Sequence, residues 1–163
     1  DLTPTGVSMA KKLVKTAKVL EGNAENLPFE DNTFDYVTCL GSLERMLNLD
    51  QVLKEQLRVT KEDATFCIMV RNYKTLMWYL KRNLRFQNHE GHQGAKSLED
   101  WTRIFEAAGF SVEAVHKDSW QWIKWIRWTT TGFFLNYYKL RNAPIPLKYA
   151  NELVFVMKKK KVN

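Results

Sequence analysis

The chain has 163 residues, 45% of them hydrophobic and 26% charged, which suits one domain, residues 1–163, with a substantial core. No apolar run approaches the ~20 residues needed to cross a bilayer, and no charged-then-apolar leader opens the chain, so a cytoplasmic protein is expected. The net charge of +7 is uneven, with a balance of −3 over residues 1–63 and +10 over residues 64–163, so an anionic partner would meet the second part.

In chain order, Thr3 and Pro4 form a helix start, with proline at the first helical position, where its missing N–H costs nothing. Met9, Ala10, Leu13, Val14 and Ala17 continue a stripe that predicts a helix over 4–17. Val19 to Glu21 reads as a short strand stopped by Gly22. Asn23-Ala24-Glu25 follows, Leu27-Pro28-Phe29 packs a loop down, and Asp31-Asn32 turns it. Phe34 to Leu40 is a second strand ending at Gly41. Apolar runs of this kind suit a parallel sheet covered on both faces, in which ligands sit beyond the carboxyl ends of the strands. Asn23, Glu25, Ser42 and Glu44 fall at those ends.

Residues 50–59 carry Val52, Leu53, Gln56 and Leu57 at helical spacing, and Ala64 to Val70 is the next strand. Residues 73–86 mix cations with aromatics. An amphipathic helix burying Leu76, Leu80 and Leu84 is the favoured reading there, ahead of base stacking or a membrane contact. His89-Glu90-Gly91-His92 lacks the i, i+4 spacing of a helical zinc site. Ser97 to Asp100 resembles a capping box; Leu98, Trp101, Ile104, Phe105 and Ala108 form a clear stripe, and Gly109 supplies the stop. Phe110 to Val115 and Glu152 to Met157 are strands on either side of an aromatic, basic insert, 120–149. Cys39 and Cys67 lie in separate predicted strands with no neighbouring histidine or cysteine, which argues for reduced thiols and against a metal site.

Several stretches carry a resemblance. Asn-Ala-Glu-Asn-Leu-Pro-Phe at 23–29, Asp-Asn-Thr-Phe-Asp-Tyr-Val at 31–37 and Ala-Ala-Gly-Phe at 107–110 resemble the class I S-adenosylmethionine-dependent methyltransferases. So does Leu57-Arg58-Val59-Thr60-Lys61-Glu62-Asp63, with Glu62-Asp63 where that family usually has Pro-Gly. The resemblance implies a Rossmann-like three-layer α/β/α fold, its sheet mostly parallel with an antiparallel last strand. It implies S-adenosylmethionine as cofactor and methyl transfer to a small-molecule or lipid-like acceptor. The cofactor positions it implies are Asp1 and Leu2 at the ribose, Asn23, Ala24 and Glu25 at the adenine, and Leu40, Gly41 and Ser42 at the methionine end. It places Arg45, His89 and His92 toward the acceptor. Relatives often have histidine where this chain has Arg45, and arginine cannot serve as a general base. Catalytic residues stay unknown, since such transfer works largely by alignment.

The family pattern also has an earlier strand and a Gly-x-Gly-x-Gly loop, for which the seven scattered glycines offer no counterpart. The chain therefore reads as N-terminally incomplete, expected to bind the cofactor weakly on its own and to self-associate through an exposed sheet edge. Two other readings stay open: a non-catalytic interaction module, and a basic aromatic binder of nucleic acid or a membrane surface.

Overall fold

Ala64, Phe66, Ile68 and Val70 alternate with half-buried neighbours, the period-two pattern that gives a strand one core-facing side. They sit in the longest strand of the computed structural model, which describes residues 3–75, 94–118 and 146–161. The described elements are α1 (Pro4–Leu13), β1 (Phe34–Leu40), a 3-10 turn (Leu43–Arg45), α2 (Leu49–Arg58), β2 (Thr60–Arg71), α3 (Leu98–Ala108), β3 (Phe110–Asp118), a second 3-10 turn (Leu147–Tyr149) and β4 (Glu152–Lys159). They build a mixed sheet of order β1-β2-β4-β3. β1 and β2 are parallel, with Val37 beside Phe66 and Cys39 beside Ile68. β4 runs antiparallel to both β2 and β3, so the last strand is the reversed one, as expected.

One face of this sheet carries the core. Phe66, Ile68, Val70, Leu153, Phe155 and Met157 meet Val52 and Leu53 of α2 and Trp101 and Phe105 of α3, all fully buried. Phe66, Phe105, Phe110 and Phe155 pack edge-to-face, and each such ring contributes roughly 1.5–3 kcal/mol of burial. The start of α3 is fixed by Ser97, whose Oγ accepts from the Asp100 N–H at 3.1 Å and donates to Asp100 Oδ2 at 2.8 Å. Gly109 closes the helix in the left-handed region, φ 103°.

Three expectations are corrected. Residues 19–21 form no strand; the nearest pairing is an isolated bridge between Asn23 and Asn26. A short apolar run holds extended pairing only beside another strand, and none among the described residues lies against it. The first helix ends at Leu13 rather than 17. Val7, outside the predicted stripe, is the buried residue of this helix, while Met9, Leu13 and Val14 of the stripe stand exposed, and a short helix without a packed face is marginal. β2 begins at Thr60, four residues early, because Thr60 Oγ1 donates to the carbonyls of Gln56 and Leu57 and turns the end of α2 directly into the strand. The helix expected within 73–86 and nearly all of the insert lie outside the described residues.

At the opposite end of the sheet from β3, the outer edge of β1 has no partner strand among the described residues. Tyr36 and Leu40, on the face away from α2, are 76% and 59% exposed.

Candidate functional site

The parallel strands β1 and β2 end at the same rim. The turn after β1 is made by Gly41, whose φ of +66° is open to glycine without penalty and whose N–H donates to the Met69 carbonyl of β2 at 2.9 Å. Ser42 follows, and the 3-10 turn then leads through Met46 into α2. Leu40, Gly41 and Ser42 thus stand together at the carboxyl end of β1.

The Asn23–Glu25 segment is a tight turn. Asn23 Oδ1 accepts from the Glu25 N–H at 3.0 Å, which leaves the carboxamide nitrogen as the donor Asn23 can offer a ligand. Glu25 is anchored on the start of α2: its Oε1 accepts from the Asn48 N–H at 3.1 Å, and its carbonyl accepts from Gln51 Nε2 at 3.2 Å. Ala24 reaches a cavity of about 340 Å³ that runs along β1, where it faces Cys39, Met46, Val52 and Gln56. Of the two predicted clusters, Ala24 lines this apolar-walled space, while Leu40, Gly41 and Ser42 do not; Cys39 before the Gly41 turn and Met46 after it are the lining residues nearest to them in the chain. Arg45 lies exposed on the 3-10 turn. Asp1, Leu2, His89 and His92 lie outside the described residues.

Two polar groups in this region stand out by their burial. The Glu44 side chain is 1% exposed, with Arg71 Nε at 3.5 Å from Oε1, and neither carboxylate oxygen has a hydrogen bond among the described residues. Gln56 Oε1, beside the cavity, is also buried without a partner there. Burial raises the Cys39 thiol above its ordinary value, and the Glu44 charge adds to that. Glu44 was visible in the sequence as a strand-end carboxylate, but its burial was not. Glu55 and Arg58 form an ion pair on α2 at 2.7 Å, and their i, i+3 spacing is the sequence signal for it.

Among the described residues, no group of three or more His, Cys, Asp or Glu could hold a metal ion. No described helix is long and apolar enough to cross a membrane.

The chain has the Rossmann-like fold of the class I S-adenosylmethionine-dependent methyltransferases, and residues 1–68 match the family model of the methyltransferase domain. A demethylmenaquinone methyltransferase of Bacillus cereus (strain B4264) is 31% identical over 117 residues, covering 66% of this chain and 49% of that protein. An uncharacterized methyltransferase, YcgJ, of Bacillus subtilis (strain 168) is 27% identical over 120 residues, 68% of this chain and 47% of that protein. The chain thus spans about half the length of the curated relatives it matches. Among solved structures, a SAM-dependent methyltransferase of Thermotoga maritima, described as a possible histamine N-methyltransferase, superposes with a TM-score of 0.68 at 18% identity. That superposition covers 98% of this chain and 72% of the other.

Proposed function

We propose that this protein takes part in S-adenosylmethionine-dependent methyl transfer to an apolar small-molecule acceptor, with the cofactor lying across the carboxyl rim of β1. The observation that carries the reading is the Gly41 turn at the carboxyl end of β1, where an α/β sheet receives its ligands; Ala24 supports it by lining one cavity with Cys39 of that strand. The residues present suit the group in kind. Asn23 and the Ala24 backbone can meet a purine edge, Gly41 brings backbone close, and Ser42 adds a hydroxyl. When bound, the cofactor supplies a methyl group on a sulfonium, whose carbon–sulfur bond breaks as the acceptor's lone pair bonds to that carbon. The chain's own part is to hold and align, and an apolar wall excludes water from the exchange.

An apolar acceptor is supported by the rim itself. Leu40 and Leu47 flank the first 3-10 turn, with Leu47 99% exposed, and Tyr73 and Tyr149 stand partly exposed beyond β2 and before β4. Demethylmenaquinone, the acceptor in the name of the Bacillus cereus relative, belongs to that chemical class. The edge of β1 that has no partner strand among the described residues is a second contact surface in this proposal, where a further copy of the chain can add a strand. Concentration-dependent dimerisation by light scattering supports that contact, and a monodisperse monomer at every concentration removes it.

The cofactor reading is tested by amide NMR of the protein titrated with S-adenosylhomocysteine, which reports weak as well as tight binding. Shifts centred on residues 23–25 and 40–42 are expected. No shift at millimolar ligand, or shifts centred on β3 and β4, would overturn the reading.

A further inference from the structure

The segment from Gly22 to Thr33 contains neither helix nor strand, only the Asn23–Asn26 bridge; backbone bonds tie its end, Asn32 and Thr33, to Arg58 and Val59, and side chains hold the part between. One side chain dominates. Arg58, at the end of α2, donates from Nε to Glu55 Oε1 at 2.7 Å and from Nη2 to Glu55 Oε2 at 2.8 Å. Its Nη1 also donates to the Phe29 carbonyl at 2.8 Å and to Asp31 Oδ1 at 2.7 Å, and its Nη2 to the Leu27 carbonyl at 3.1 Å. A guanidinium has five N–H donors, and all five are engaged here. Glu55 completes the arrangement by accepting the Leu27 N–H on Oε2 at 2.8 Å.

α2 therefore grips the loop twice. Its first turn holds Glu25 through Asn48 and Gln51, and its last turn holds Leu27, Phe29 and Asp31 through Glu55 and Arg58. The Ala24 turn lies just before the first grip and has no ladder of its own to lean on.

We propose that Arg58 is a positioning residue for the cofactor loop: with Glu55 it locks Leu27–Asp31 onto α2 and so sets Asn23 and Ala24 at the rim of β1. This deepens, and rests on, the cofactor reading above. The requirement is geometric as well as electrostatic. Lysine keeps the charge but has three donors and no planar fork, so it cannot serve two carbonyls and two carboxylates at once. The core contacts of α2 run through Val52 and Leu53, which the exchange leaves in place. Loop position should therefore suffer more than the fold.

The test compares Arg58→Lys with Leu57→Ala. Leu57 packs on the same core but makes none of the loop bonds, so Leu57→Ala destabilises without loosening the grip. Hydrogen exchange in the ligand-free protein is expected to rise strongly at the amides of Asn26 and Leu27 in Arg58→Lys and to stay near native in Leu57→Ala. Affinity for S-adenosylhomocysteine is expected to fall on the order of 10- to 100-fold in Arg58→Lys. Methylthioadenosine, which lacks the amino-acid half, should lose the same factor, because the affected contacts are at the adenine end. Leu57→Ala should hold its affinity well below its melting temperature. The proposal fails if both variants lose affinity in proportion to stability, or if Arg58→Lys leaves loop exchange unchanged. If the native protein shows no response to S-adenosylhomocysteine, the cofactor reading falls, and the exchange data still decide whether Arg58 fixes the loop.

Discussion

Gly94 lies against the peptide of Glu44 so closely that a methyl group at position 94 would overlap the Glu44 carbonyl oxygen and stand 2.9 Å from its carbonyl carbon. Its φ of +81° adds a second requirement for glycine. Gly41 has a positive φ as well, but the nearest atom to an added methyl there is Met69 Cε at 3.7 Å, ordinary contact. Gly41→Ala should therefore cost only the left-handed penalty, about 1–2 kcal/mol. Gly94→Ala should cost that and more, since backbone must move to admit it. Urea denaturation of the two variants checks the order, and equal losses would show that the Gly94 contact relaxes freely.

The contrast shows what a sequence can and cannot carry. α3 was legible because Trp101 and Phe105 fall on one helical stripe between Ser97 and Gly109, all local signals. β1, β2 and β4 were legible as apolar runs of strand length. The strand expected at 19–21 was not realised, because a ladder is a property of two segments and the run contains only one. Much of the site was illegible for the same reason. Glu44 meets Gly94, 50 positions further along the chain, and Arg58 reaches residues 27 to 31 positions earlier. The family resemblance supplied the Asn23 and Gly41 positions, but composition and spacing did not show the side chains that hold them.

Arg71 is the only cation paired with the Glu44 carboxylate among the described residues, at 3.5 Å, and it is one-third exposed while its partner is buried. Removing a buried pair's cation strands the charge, at a cost of about 3–5 kcal/mol, and the exposure of Arg71 places the expectation toward the lower figure. Arg71→Met should therefore destabilise clearly, and the same change in a Glu44→Gln background should cost much less. A thermodynamic cycle should give a coupling of at least about 1 kcal/mol. Strictly additive losses would mean that the carboxylate finds its stabilisation elsewhere.

Cys39 shares this environment. Its thiol is pushed up by burial first and by the Glu44 charge second, so less thiolate is present at pH 8 than for a free thiol. Iodoacetamide should modify Cys39 more slowly than glutathione at that pH. Glu44→Gln removes one of the two causes, lowers the thiol's pKa and should speed the reaction. Unchanged kinetics would separate the two groups electrostatically.

Glu55 gives the protein an acid-sensitive joint. Hydrogen bonds from Arg58, and then from the Leu27 N–H, hold its carboxyl below the usual value of 4.5, against the opposing effect of burial. A carboxyl depressed in the folded state contributes stability that is complete above its unfolded value and is lost as pH falls through the folded one. Stability should therefore decline from about pH 5 downward, and hydrogen exchange at Leu27 should rise in the same interval as the proton displaces Arg58. Glu55→Gln should lower stability at pH 7 yet flatten the decline, because the amide does not titrate there. Some acid lability will persist from Glu99, which backbone and Ser97 hydrogen bonds and Lys74 also hold low. Chemical denaturation of the native protein and Glu55→Gln at pH 7 and pH 3.5 decides the matter: the gap between them should narrow in acid. A gap of constant width would remove Glu55 from the pH response and leave the Leu27 grip to Arg58 alone.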